Sequence, residues 1–174
     1  MLVRHNGLRL PFFVVVLLSV FVASAYAQKS MKDQLVGTWL QVAVTSEGPD
    51  GAKGEPFGPN PKGVIIFSND GHFSLFQSRA EIPKIAANDR AKATPEEAQA
   101  IVASAIAYYG TYTVSEGEKT IFVKIVASTF ANVAGGPEQK RIVTSLTADE
   151  LKFTNPRTPA GITLFTVWKR TPAE

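Results

Sequence analysis

The stretch PFGPNPKGVIIFSNDGHFSLFQS, Pro56 to Ser78, carries the clearest sign of the fold. Its first half holds three prolines, which fix their own φ and disfavour helix in the residues before them. Its second half reads as two strands, 62–68 and 72–78, folded about Asn69-Asp70-Gly71, a turn sequence of the hairpin type. Gly58 and Gly63 allow sharp changes of direction beside the prolines. The reading is a stiff rim leading into a hairpin.

Outward from this hairpin, strand-like segments recur at 35–46, 108–115, 120–128, 138–147, 151–155 and 161–170, with turn residues between them. Together with the hairpin they make eight strands. Glu116-Gly117-Glu118-Lys119 and Ala148-Asp149-Glu150 are short polar connections suited to hairpins. Sequential hairpins give an up-and-down order. One segment interrupts the rhythm: in ATPEEAQAIVASAIA, 93–107, Thr94 suits an N-cap, Pro95 the first helical position, and Glu97 completes a capping box. Ala98, Ile101, Val102, Ala105 and Ile106 then fall at helical spacing, which predicts an apolar stripe against the barrel wall or one open end. The 79–93 segment before it is a long loop, of the kind that is functional or mobile in compact domains.

Eight antiparallel strands leave open edges unless the sheet closes on itself, and closure at that number leaves an interior that side chains fill or that holds one small ligand. The expected fold is therefore all-β: an eight-stranded antiparallel up-and-down barrel with one short helix between strands 3 and 4. Apolar residues occupy both parities in places, as in Val64, Ile65, Ile66 and Phe67. Inner and outer faces are consequently ambiguous from the pattern alone.

The N-terminal segment is of another kind. Arg4 and Arg9 precede an apolar run from Phe12 to Val22, followed by small residues ending Ala25-Tyr26-Ala27. That is the order of a secretory signal, with cleavage expected after Ala27, and the run falls short of the roughly 18 residues a spanning helix needs. Residues 1–27 are thus expected to be removed, 28–174 to form one domain, and the product to be exported to the periplasm or beyond, without a stable membrane anchor. Without Arg4 and Arg9, the 18 Lys and Arg exceed the 15 Asp and Glu by only one. No basic cluster with interleaved aromatics points to nucleic acid. Cysteine is absent, so neither disulfides nor thiol chemistry enter.

At LVGTW, Leu35 to Trp39, Gly37-Thr38-Trp39 resembles the Gly-x-Trp signature of lipocalins, with Trp168 and Arg170 resembling the end of the last strand, where a basic residue closes over that tryptophan. The longer runs PFGPNPKGVIIFSNDGHFS, ATPEEAQAIVASAIAYYGTYTV and SEGEKTIFVKIVASTFANVAGGPEQKRIVTSLTADELKFT look like the bacterial and fungal lipocalin-like domain family over nearly the whole of 28–174. The resemblance implies the same barrel, its helix between the third and fourth strands, and a small-molecule role; Gly37, Trp39 and Arg170 would be structural. It implies no catalytic set. Relatives often carry histidine in the fifth strand, where this chain has Val123 and Lys124.

The chemistry-bearing residues are few. After residue 27 there is one histidine, His72, and a metal site needs several ligands. No metal and no cofactor is expected. No Gly-x-Ser-x-Gly elbow is present, and Glu96 and Glu97 suit a helix N-terminus better than catalysis. Asp70 suits the turn. Aromatic and polar residues on the strands offer a ligand cavity instead: Gln41, Phe67, Phe76, Tyr112, Lys124, Gln139 and Arg141 are the candidate contacts, Arg141 being suited to a carboxylate or other oxyanion. The same residues could equally be core or surface. The leading expectation is an exported protein that binds a small hydrophobic or amphipathic molecule. The alternatives are a cofactor-free isomerase, cyclase or dehydratase using His72 or a buried tyrosine, and a structural module of the envelope.

Overall fold

The computed structural model describes residues 29–171; the expected signal segment and its cleavage point lie outside them. The strands are β1 (Gly37–Glu47), β2 (Lys53–Gly54), β3 (Lys62–Phe67), β4 (His72–Ser78), β5 (Ala105–Ser115), β6 (Thr120–Ser128), β7 (Gln139–Leu146), β8 (Glu150–Asn155) and β9 (Thr163–Arg170). Two α-helices, α1 (Met31–Leu35) and α2 (Pro95–Ser104), accompany them. Every neighbouring pair is antiparallel, and β9 returns to pair with β1 from Trp39↔Arg170 to Glu47↔Thr163. The expected eight-stranded up-and-down barrel is therefore the observed architecture. The two-residue β2 is an addition, paired only with the far end of β1.

The barrel has two unlike ends. The turns at 68–71, 116–119 and 147–149 are short and share one end with α1, while the connections 48–61, 79–104, 129–138 and 156–162 all lie at the other. At the short-turn end the interior is solid. Trp39, Trp168, Leu35, Ile121 and Leu151 are fully buried there, joined by Phe67, Phe73 and Tyr112. Burying an aromatic side chain of 150–250 Å² at about 25 cal/mol/Å² contributes roughly 4–6 kcal/mol. Several such residues in one layer make this end the anchor of the fold. Phe67 meets Tyr112 edge to face with centroids 5.0 Å apart, and Phe153 stacks on Trp168 at 6.1 Å.

Arg170 seals the same end. Its guanidinium carbon lies 3.9 Å from the centroid of the Trp39 ring. Its Nη1 donates to the Val36 carbonyl at 2.8 Å, its Nη2 to that of Gln34, and its Nε to that of Ala148 at 2.7 Å. The Trp39 indole donates to the Leu35 carbonyl at 2.9 Å. Gly37 is required in this cluster: its φ is +129°, and a Cβ there would stand 2.7 Å from Arg170 Nη1.

Three local readings are corrected. Leu35 ends α1 instead of starting a strand; Ser30 caps that helix by accepting from the Asp33 amide at 3.0 Å. The second helix stops at Ser104, because Ala105 and Ile106 pair with Ser78 and Gln77 of β4 and so belong to β5. The expected apolar stripe dissolves with that boundary. Ala98 and Val102 are exposed, and Ser104 is the residue α2 buries. The capping box does form: Glu97 accepts from the Thr94 amide at 2.9 Å and Thr94 from the Glu97 amide at 3.2 Å. The other Glu97 oxygen accepts from the Ala86 amide at 2.9 Å, which pins the long 79–93 loop to the helix.

Candidate functional site

At the long-loop end the barrel is not filled. A cavity of about 290 Å³ opens between the strand walls and three connections. Its walls are inward residues taken every second position: Gln77 from β4, Ile106 and Tyr108 from β5, Ile125 from β6, Gln139 and Arg141 from β7, Asn155 from β8 and Leu164 from β9. Its rim is Pro56 and Phe57 from the proline-rich stretch, Phe130 and Val133 from the 129–138 connection, and Thr158 to Ile162 before β9. The prolines thus border the mouth. Within that rim, the Gly58 amide donates to the Glu55 carbonyl at 2.9 Å, closing a turn about Pro56 and Phe57, and Gly58 takes a positive φ.

Register explains which candidates meet. Phe73, Leu75 and Gln77 face inward on β4, so Phe76 faces out, where it is partly exposed opposite Val64 and Ala107. Lys124 pairs with Thr111 on the outer face of β6, flanked by the inward Val123 and Ile125. Neither reaches the cavity, which corrects their assignment as ligand contacts. Phe67 and Tyr112 point inward but lie in the solid end, and the Tyr112 hydroxyl donates to the Ser68 carbonyl at 2.9 Å. Burial, with the charges of Asp70 and Asp33, pushes that phenol above its ordinary pKa. Gln41 also faces inward, but both its amide atoms are sealed without a partner among the described residues, and it is no part of the cavity wall. Gln139 and Arg141 alone of the seven candidates line it.

Arg141 is the unusual member. It is 5% exposed. Its Nη1 donates to the Lys140 carbonyl at 2.9 Å and its Nη2 to Gln139 Oε1 at 3.0 Å, both neutral acceptors. Gln77, also buried, has no side-chain hydrogen bond among the described residues. The rest of the wall is mostly apolar. Such a space can hold an apolar body and orient it through a few donors.

His72 stands far from this wall. It begins β4 at the short-turn end, its side chain 63% exposed, with Nδ1 3.1 Å from Asp70. Asp70 accepts from the Ser68 hydroxyl and, at 3.2 Å, from the His72 amide, and these bonds hold its carboxyl at about 2. The pair fastens a turn. Among the described residues no Asp, Glu or His lines the cavity, and His72 lies at the opposite end of the barrel. Among the described residues no three His, Asp or Glu side chains come together to hold a metal.

The wall residues missed by sequence reasoning are Gln77, Ile106, Ile125, Asn155 and Leu164, with the two rim connections other than the proline-rich one. Stepping by two from the inward Phe73 would have found Gln77; nothing in the 129–138 and 156–162 connections marked them as a rim.

A family model described as a lipocalin-like domain matches residues 36–171. No curated protein matches the sequence. Among solved structures, the chain is similar to a protein from Bacteroides uniformis, at 15% identity and a TM-score of 0.43 over 83% of this chain and 96% of that one. Bovine odorant binding protein in complex with a selenium-containing odorant shares 14% identity, with a TM-score of 0.43 over 84% and 76% of the two chains. A de novo designed fluorescence-activating β-barrel shares 10%, with a TM-score of 0.42 over 83% of this chain and 100% of its own. Likeness at this level carries nothing about function.

Proposed function

The chain belongs to the lipocalin-like domain family, and from that premise we propose that it is an exported protein that binds a small, mainly apolar molecule in the mouth of its barrel. The observation that carries the reading is the cavity itself. The barrel is packed solid around Trp39 and Trp168, yet keeps about 290 Å³ open at the far end, where Ile106, Tyr108, Ile125 and Leu164 share the strand wall with four polar residues. Close packing is the default in protein interiors, so an open space of this size at one end is a feature to be explained. It sits near the lower end of the roughly 300–1,000 Å³ usual for small-molecule sites.

The test is a titration of the 15N-labelled protein with octan-1-ol, followed by amide shifts. Saturable changes grouped at Tyr108, Ile125 and Leu164, and lost in Leu164→Trp, are the expected result. Changes confined to the outer wall, or none at millimolar octan-1-ol, would overturn the reading. Export is tested separately by intact mass after expression in a secretion-competent host: the expected N-terminus is Gln28, and a retained Met1 would count against it.

A further inference from the structure

We infer that the molecule taken by this cavity carries one carboxylate, received by Arg141 with help from Gln77 and Gln139. The inference rests on the cavity reading above and adds the chemistry of the ligand's polar end. Its basis is a charge without a counter-charge. Among the described residues Arg141 is the one ionised side chain of the cavity wall, and it is nineteen-twentieths buried. The ion pairs among the described residues are His72–Asp70, Lys92–Asp89 and Lys152–Glu150, none of which touches it. A buried cation is costly unless paired, and nothing in the wall pairs this one.

Its geometry is also incomplete. A guanidinium carries five N–H donors, and Arg141 uses one toward Lys140 and one toward Gln139. Arg170 shows how this chain treats a structural arginine: three backbone carbonyls and the face of Trp39 surround it. Arg141 has no such cage. The lysines of the strand walls at Lys62, Lys124, Lys140 and Lys169 all point to solvent, so an inward cation breaks the rule of this barrel.

The neighbours add donors. Gln139 gives its amide oxygen to Arg141, which leaves its NH2 free, and the Gln77 amide has no protein partner among the described residues. A group that only accepts hydrogen bonds suits this set, and a planar carboxylate matches the guanidinium fork. One guanidinium balances one negative charge, which favours a carboxylate over a dianionic phosphate monoester. The remaining wall, with Ile106, Tyr108, Ile125, Phe130, Val133 and Leu164, is suited to a hydrocarbon or aryl body. At about 30 Å³ per water-sized unit, the cavity admits roughly ten non-hydrogen atoms, a medium-chain or aryl carboxylate.

Isothermal titration at neutral pH and low salt, with octanoate, octan-1-ol, octylamine and octyl phosphate, tests this. The expected order places octanoate tightest, about tenfold or more ahead of octan-1-ol, with octylamine weakest. Arg141→Met is expected to remove that preference, bringing octanoate and octan-1-ol within about threefold of each other, with the dispersed amide spectrum of the variant showing that it is folded. Independently of any variant, the Arg141 Nε–H resonance of the unaltered protein should move with octanoate and not with octan-1-ol. Octan-1-ol binding as tightly as octanoate would overturn the inference and leave the cavity reading standing. Octyl phosphate binding tightest would overturn the carboxylate. If none of the four binds, the cavity reading falls and takes the inference with it.

Discussion

Gly110 sits where β5 passes closest to β6: a Cβ there would overlap the Lys124 carbonyl oxygen and stand 2.9 Å from its carbon. The cause is the register shift at Tyr109/Gly110, which leaves Val126 without a partner and brings the two backbones together. Neither backbone can yield without breaking the ladder. Gly110→Ala should therefore cost about 3 kcal/mol or more in urea denaturation, or prevent folding. The sealed amide of Gln41 predicts the opposite sign: Gln41→Met keeps the volume, removes two unpartnered buried groups, and should raise stability by about 1 kcal/mol. Asp70 gives a pH signature. Its folded pKa is depressed to about 2 from an ordinary 3.8, so its contribution is present above pH 4 and lost as pH falls toward 2. A carboxyl NMR titration should place its midpoint near 2, and a midpoint near 4 would contradict the turn geometry.

At the level of elements, much was legible because turn chemistry and strand composition are local. The Asn69-Asp70-Gly71 hairpin and the Thr94 capping box form as their residues dictate. What was not legible depends on pairing partners. Ala105 and Ile106 continue a helical spacing, yet the ladder to Gln77 and Ser78 takes them into β5, since a hydrogen-bonded sheet edge outweighs a weak helical preference. The bulge at Val42 flips the facing of β1 midway, so Trp39 and Gln41 point inward and Val44, not Ala43, continues the inner face. For the same reason candidate contacts divided among the cavity, the solid end and the outer wall: β3 is apolar on both parities, and only its neighbours decide which side is inside. Cap chemistry remains local and testable. Thr94→Ala should cost about 1 kcal/mol in the stability of α2, read as faster amide exchange at Glu97, with β5 to β9 unaffected.

For the whole molecule, closure depends on the seam between β1 and β9, and Arg170 ties that seam to α1 and to the 147–149 turn. Arg170→Ala removes three charge-assisted bonds and the contact over Trp39. It is expected to lower stability by about 2–4 kcal/mol. Trp39 lies directly beneath and makes the unfolding transition visible by fluorescence. The same burial makes both tryptophans poor reporters of ligand, since the cavity lies at the other end and is bordered by Tyr108 instead.

Lys29 and Thr171 flank a single groove on the outside of the sealed end, beside Asp149 and Arg170. A tether attached through Lys29→Cys or Thr171→Cys would therefore sit at the pole opposite the doorway. Immobilised that way, the protein would present its entrance outward, unobstructed, to whatever diffuses past.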